Sequence, residues 1–268
     1  MVVRRGLQWI YNKIVAKAQQ CILAVLAAGP VPQHIAFVMD GNRRYARSHN
    51  KKIQQGHSEG FVALHKILDV CLHMNIHCVS VYAFSIENFK RPREEVDALM
   101  ALMEEKLLEL CSKGDLLDEY GVRLNIIGRV ELLPKNVQRA VRKAEKTTRH
   151  NNRAILNICV PYTSRDEMTT AVEETVRAGL AFRIDPDTFF TKEEVDRRIM
   201  TTARGSPPLD ILVRTSGVQR LSDYLLWQCC ENTQIQFTPT YWPNFGLFDF
   251  IPIILDYQRK IWSRRISG

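Results

Sequence analysis

His34-Ile35-Ala36-Phe37-Val38-Met39-Asp40-Gly41-Asn42-Arg43-Arg44 is the stretch that decides the fold. An apolar run too short for a helix gives way abruptly to a carboxylate, a glycine and two arginines. Such a run, bounded by turn residues, reads as a strand buried on both faces. Working outward, the same texture recurs at 79–84, 122–127, 155–160 and 209–213, and more weakly near 235–237. Between the runs lie patterns of helical period, such as Val96, Leu99, Met100, Met103, Leu107 and Leu110. Strands alternating with helices build a mostly parallel sheet covered on both faces. The expectation is a single α/β domain, a mostly parallel central sheet flanked by helices. Helices are expected to end near Gly114 and Gly179, and Pro207-Pro208 marks a loop before the fifth strand.

Upstream of Gly29-Pro30 the texture differs. Leu7, Ile10, Tyr11, Ile14, Ala18, Ile22 and Val25 recur at three-to-four spacing, with Arg4, Arg5, Lys13 and Lys17 between them. That is a basic amphipathic helix, able to cap the core or to lie on a membrane surface. The division is therefore an N-terminal amphipathic helix over 1–29 and an α/β domain over 30–268. The apolar run at 21–28 is too short to span a bilayer, and the long segment before it is unlike a short basic leader.

Composition narrows the class. The chain has 268 residues, 46% of them hydrophobic and 25% charged, enough apolar material for a core. Its net charge of +8 points to an anionic partner: nucleic acid, a phosphorylated metabolite or an acidic membrane surface. Seven cysteines, an odd number with no C-x-x-C, argue against a disulfide framework or a structural zinc site. His73 and His77 are four apart, but Met74 stands where a zincin needs Glu, so they read as a helix end.

In open parallel sheets ligands bind beyond the carboxyl ends of the strands. The first run is followed by Asp40, Gly41, Asn42, Arg43 and Arg44, the second by Ser85, Glu87, Asn88, Lys90 and Arg91. The fifth is followed by Arg214, Thr215, Ser216, Gly217, Arg220 and Ser222. Five arginines, a carboxylate, small hydroxyls and glycines thus meet on one rim, and arginine forks suit phosphate oxygens. No P-loop and no G-x-G-x-x-G follows a strand, which argues against P-loop hydrolysis and dinucleotide binding. A lone Asp40 suits a Mg²⁺ ion shared with a substrate diphosphate; the plain alternative is a turn former or helix cap.

These residues also carry a resemblance. The stretch from His34 to Ala46, Gly56-His57, Tyr82 to Arg91, Arg214 to Gln228 and Trp242-Pro243 resemble the cis-prenyltransferases. That family comprises the undecaprenyl and dehydrodolichyl diphosphate synthases, and the wording is most similar to its eukaryotic dehydrodolichyl members. The resemblance implies repeated condensation of isopentenyl diphosphate onto farnesyl diphosphate, each new double bond having Z geometry. It implies that Asp40 is catalytic and holds Mg²⁺, and that Gly41, Asn42, Arg44 and Arg91 hold the allylic diphosphate. It assigns Arg43, Arg214, Arg220 and Ser222 to isopentenyl diphosphate. His57, Ser85 and Asn88 complete the site, with Asn88 helping proton removal. The 96–110 stripe reads as core, and in this family such a helix lines the product tunnel. The absence of D-D-x-x-D sets the chain apart from trans-prenyltransferases.

Two departures matter. Where bacterial members place a Glu metal ligand, this chain reads Gln234-Ile235-Gln236-Phe237, with Glu231 upstream. Single-chain members end in Arg-x-Gly, whereas the sequence here ends Arg264-Arg265-Ile266-Ser267-Gly268. The expectation is that a second subunit, similar to the Nogo-B receptor, donates that tail; the alternative is a homodimer in which Arg264, Arg265 and Gly268 substitute imperfectly. Peripheral attachment at the cytosolic face of the endoplasmic reticulum is also expected. One rival is a non-catalytic membrane-bound partner subunit, which predicts eroded site residues, yet Asp40, Asn88, Arg214 and Arg220 are present. Another is a nucleic-acid binder, which predicts interleaved basic and aromatic residues that are not found. No nucleic-acid partner is expected.

Overall fold

The computed structural model describes residues 2–110, 116–182 and 189–267, with side chains described from Lys13 to Arg264 apart from Ala16, 111–116 and 182–188. Six strands form one sheet: β1 His34–Val38, β2 Cys78–Tyr82, β3 Val122–Ile127, β4 Ala154–Cys159, β5 Ile211–Arg214 and β6 Gln234–Phe237. Their order is β3-β4-β2-β1-β5-β6, and every pairing is parallel. The helices are α1 Val2–Ala27, α2 Asn42–Ser48, α3 Ile53–His73, α4 Arg93–Leu110, α5 Leu116–Glu119 and α6 Lys135–Thr148. They continue as α7 Ser164–Phe182, α8 Lys192–Arg198, α9 Met200–Ala203 and α10 Leu247–Ser267.

Residues of β1 alternate between two cores, as the two-residue strand period requires. Ile35 and Phe37 enter the larger cluster, with Ile67, Val81, Trp242 and Phe250, while Ala36 and Val38 enter a smaller one with Tyr162 and Tyr224. Phe37 anchors the larger side, 5.7 Å from Trp242 and 6.1 Å from Phe250 between ring centroids. The end of α1 belongs to this core: Leu23 and Leu26 are buried, and Gln258 of α10 donates to the Leu26 carbonyl at 2.7 Å. Farther up, Ile14 is exposed. The described part of α1 therefore caps the core at its end and presents apolar surface before it; the side chains of Arg4, Arg5, Leu7, Ile10 and Tyr11 lie outside the described residues.

Several boundaries differ from the sequence reading, and β5 begins at Ile211 where the apolar run begins at 209. The first two strands stop at Val38 and Tyr82 because the chain turns into the site loops. Gly179 lies inside α7 rather than ending it. A Cβ there would sit 2.9 Å from the Phe189 ring, so the glycine admits close packing. Gly114 lies outside the described residues.

The topology places the site. Chain order leaves β1 for β2 on one side and returns to β5 on the other, creating a crevice at the carboxyl ends. Register keeps the tips level: Val38 pairs with Tyr82 and with Arg214, and Tyr82 pairs with Cys159.

Candidate active site

Gly41 opens the site. Its φ of 103° is the left-handed conformation that glycine tolerates, and it caps the start of α2. A Cβ there would meet the Tyr241 ring at 2.9 Å. Just before it, Asp40 is fixed through its backbone: its N–H reaches Thr215 Oγ1 at 3.0 Å, and its carbonyl accepts from the Trp242 N–H at 3.0 Å. Buried Trp242 also donates its indole N–H to the Gly60 carbonyl of α3 at 2.7 Å, tying loop to helix.

The Asp40 carboxylate is held by three donors. Oδ2 accepts from Arg214 at 2.8 Å, while Oδ1 accepts from the Gly41 N–H at 2.6 Å and lies 3.3 Å from Arg44. Burial opposes its ionisation most strongly, but Arg214, Ser216 and Arg44 together outweigh burial and hold the carboxyl below the usual range. Arg214, with a side chain only 4% exposed, also donates to Ser222 Oγ at 2.7 Å and to the Arg220 carbonyl at 2.6 Å. Arg44 bonds to the Ser216 hydroxyl and carbonyl and stacks over Tyr241, 5.4 Å from its centroid.

The second wall comes from the β2 loop and α3. Ser85 and Asn88 form a reciprocal cap: the Ser85 N–H donates to Asn88 Oδ1 at 3.0 Å, and Ser85 Oγ accepts from the Glu87 N–H at 3.2 Å. Arg91 donates to Glu95 at 3.0 Å, and Arg43 approaches the same oxygen at 3.7 Å. His57 lies beside them. Burial, reinforced by Arg91 and Arg43, lowers its pKa from 6.5 to about 4, so the ring is neutral at pH 7. Its Nε2, together with Asn42 Oδ1 and Arg214 Nε, is buried without a hydrogen-bond partner among the described residues. Buried polar atoms are ordinarily satisfied, and the orphans of His57 and Arg214 lie on residues that line the rim, whereas Asn42 Oδ1 is packed against Gly60 of α3.

All twelve residues expected from the sequence line one cavity of about 1040 Å³: Asp40, Gly41, Asn42, Arg43, Arg44, His57, Ser85, Asn88, Arg91, Arg214, Arg220 and Ser222. Behind the polar rim its lining turns apolar, with Phe61, Leu64, Leu99, Met103, Leu107 and Leu110. The α4 stripe is thus both core and cavity wall, since Leu107 and Leu110 are also buried in the larger cluster. Gln236 bonds Asp256 at 2.7 Å, and exposed Glu231 pairs with Lys192, so neither belongs to the rim. His73 closes α3, whereas His77 lies past the helix, just before β2, and bonds the Arg153 carbonyl.

Sequence reading missed Arg165 and Asp223. Arg165 follows β4, the one central strand whose carboxyl end holds no residue that the sequence singles out. Its backbone N–H and side chain both bond the Asp223 carboxylate, at 3.0 and 2.8 Å. Asp223 in turn accepts, through its carbonyl, the Ser164 N–H at 2.8 Å. That clasp fixes a turn in which Ser222 and Asp223 have positive φ, and so places Ser222 under Arg214.

An arginine-lined rim fused to an apolar cavity defines a protein built for amphiphiles with an anionic head and a long hydrocarbon tail. Comparison with known proteins narrows that class. The family model described as "Putative undecaprenyl diphosphate synthase" matches residues 38–266. A dehydrodolichyl diphosphate synthase complex subunit of Schizosaccharomyces pombe is 44% identical, over 94% of this chain and 93% of that one. The corresponding human subunit is 40% identical, over 94% of this chain and 74% of its own. Among solved structures, lavandulyl diphosphate synthase from Lavandula x intermedia, in complex with dimethylallyl diphosphate, is similar with a TM-score of 0.77 and 29% identity. That match covers 85% of this chain and 95% of the other. The chain belongs to the undecaprenyl diphosphate synthase family, the cis-prenyltransferases.

Proposed function

We propose that this chain lengthens farnesyl diphosphate by successive addition of isopentenyl diphosphate units in Z geometry, giving a dehydrodolichyl-type polyprenyl diphosphate for dolichol synthesis and protein glycosylation. The observation that carries this reading is the continuity of the arginine rim with the apolar cavity: one end suits diphosphates, the other a growing hydrocarbon. The α2 start, with Gly41, Asn42 and Arg44, together with Arg91, takes the allylic diphosphate. Arg43, Arg214, Arg220 and Ser222 take isopentenyl diphosphate. As the allylic C–O bond breaks, negative charge grows on the departing diphosphate, and fixed cations that need no reorganisation stabilise it. The double bond of the second substrate attacks the freed carbon, and the proton lost from the product passes to the departing diphosphate. Asn88 is no base itself; its amide, fixed by the Ser85 N–H, orients the groups between which that proton moves. His57, neutral at pH 7, offers a hydrogen bond without adding charge.

Mg²⁺ fits this donor set. Each of these carboxylates is paired, Glu95 with Arg91, Glu87 with Lys90, Asp223 with Arg165 and Asp40 with Arg214 and Arg44, and it is half-buried Asp40 that stands among the arginines of the diphosphate end, where a bound cation would share it with them. A magnesium ion bound through one carboxylate and substrate phosphate oxygens matches that supply. When bound it would neutralise diphosphate charge and so assist departure.

Relatives named as complex subunits support a second subunit as partner; that it is similar to the Nogo-B receptor is what the family resemblance implies. The amphipathic pattern of α1 supports attachment to a membrane surface; the cytosolic face of the endoplasmic reticulum is what the family resemblance implies. The decisive experiment supplies farnesyl diphosphate, labelled isopentenyl diphosphate and Mg²⁺, with and without a partner subunit. Label is expected in butanol-extractable lipid; none under either condition refutes the reading.

A further inference from the structure

Helix α6 carries a charge distribution that the site does not use. Across residues 135–149 the sequence holds six cations, Lys135, Arg139, Arg142, Lys143, Lys146 and Arg149, against one carboxylate, Glu145. This segment alone therefore accounts for five of the chain's eight excess positive charges. At 3.6 residues per turn the six fall within an arc of about 120°, centred opposite the buried face of Val137, Ala140, Val141 and Ala144. All six are exposed, and none has a carboxylate partner among the described residues. Glu145 does not neutralise them, because it turns inward to accept the Ile126 N–H at 3.0 Å and to pair with Arg204 at 3.4 Å.

Like charges crowded on one helix repel one another, so the stripe costs stability in the free protein unless an anionic surface meets it. Its length, about 21 Å, exceeds what one small anion can engage. Two neighbours decide the kind of surface. Leu132, 45% exposed, is an apolar side chain in the turn just before α6. Asn136 of α6 donates to Glu104 of α4 at 2.6 Å, joining the stripe to the helix that lines the apolar cavity. No aromatic side chain interrupts the stripe, as a base-stacking surface would need.

We infer that the outer face of α6, with Leu132, docks on an anionic bilayer surface, so that the cavity helix α4 rests near the membrane that receives the product. The choice of bilayer rests on the polyprenyl reading above; the stripe does not. The juxtaposition gives the chain a second membrane contact, separate from α1.

Vesicle flotation of the full chain tests this, using phosphatidylcholine vesicles with and without phosphatidylserine. The triple variant Arg142→Glu, Lys143→Glu, Lys146→Glu should bind phosphatidylserine vesicles at least about tenfold more weakly than the parent, with α1 intact. Neutral Gln variants at the same positions should fall between the two, and guard against misfolding of the reversed form. Thermal melts of the Gln variants should be no lower than the parent's, since the repulsion is relieved, and their transfer of isopentenyl units in detergent should be unchanged. Unaltered flotation of both triple variants would overturn the proposal. So would lost binding to transfer RNA with unchanged vesicle binding, which would make the stripe a nucleic-acid surface. Flotation is read without turnover, so a parent protein that binds vesicles but transfers no isopentenyl unit defeats the polyprenyl reading alone.

Discussion

Asp40 divides its two carboxylate oxygens between Arg214 and Arg44, which makes it a structural counter-ion as well as a site residue. Asp40→Ala should abolish isopentenyl transfer and also lower the melting temperature, because buried Arg214 loses a charge-assisted partner worth roughly 1.5–3 kcal/mol. Asp40→Asn keeps a hydrogen-bond acceptor and should lose turnover with a smaller change in stability. Near-normal transfer by either variant would remove Asp40 from the mechanism. Arg220 behaves differently: its side chain is exposed at the cavity and has no hydrogen-bond or ion-pair partner among the described residues. Arg220→Ala should therefore raise KM for isopentenyl diphosphate about tenfold or more, by the same range of energies, and leave the melt unmoved. An equal rise for farnesyl diphosphate would contradict two separate subsites. At the opposite end of β1, buried His34 bridges Ser80 at 2.7 Å and the Pro207 carbonyl at 2.9 Å, and burial lowers its pKa from 6.5 to about 4. The unfolded chain then binds more protons than the folded one between those values. Stability is full above pH 6.5 and falls as pH drops toward 4, by on the order of 3 kcal/mol for this residue. Melts over that range should be less pH-sensitive in His34→Gln, and identical profiles would show that His34 does not carry the effect.

Helices α2 and α3 meet at two glycines, and this contact sets the position of Asn42. A Cβ on Gly60 would lie 2.3 Å from Asn42 Oδ1, and one on Gly56 would lie 2.4 Å from the Asn42 carbonyl. Gly60→Ala should cost about 1–3 kcal/mol by overpacking and lower turnover by shifting the start of α2, read together by melts and steady-state kinetics. A variant as stable and active as the parent would show that α2 yields without consequence. Neither glycine announces this role in the sequence, because close approach of two helices is a tertiary fact with no local period. The strands were legible for the opposite reason: parallel strands buried on both faces are continuous apolar runs, and β1, β3 and β4 match their runs to within a residue or two. The rim was legible because chain direction in a parallel sheet puts each loop after a strand on one side. Arg165 obeys the same rule, since it follows β4 and stands on the same side of the sheet. Asp223 could not be found that way, since its function depends on a turn of left-handed residues that brings it to Arg165.

At the scale of the molecule, the sheet ends in a strand that is not fully covered. Strand β6 pairs with β5 on one side only. Gln236 faces α10 and bonds Asp256 at 2.7 Å, so strand alternation turns Ile235 and Phe237 to the opposite face. Both are exposed, at 38% and 40%. An edge strand with an unpaired rim and apolar side chains is a template for association, and soluble chains normally blunt such edges with charge. Here no charged residue lies between Gln234 and Phe237. This surface agrees with relatives that are named as subunits of a complex, and it supports placing the proposed second subunit along β6. Lys at position 237 would put a desolvated charge into that contact. Phe237→Lys should therefore abolish co-elution with a partner subunit in size-exclusion chromatography while leaving the melt of the isolated chain within about 0.5 kcal/mol of the parent. Transfer activity should rise on adding partner to the parent chain and fail to rise with the variant. Co-elution and activation that survive Phe237→Lys would move the interface elsewhere, to a surface that leaves β6 free.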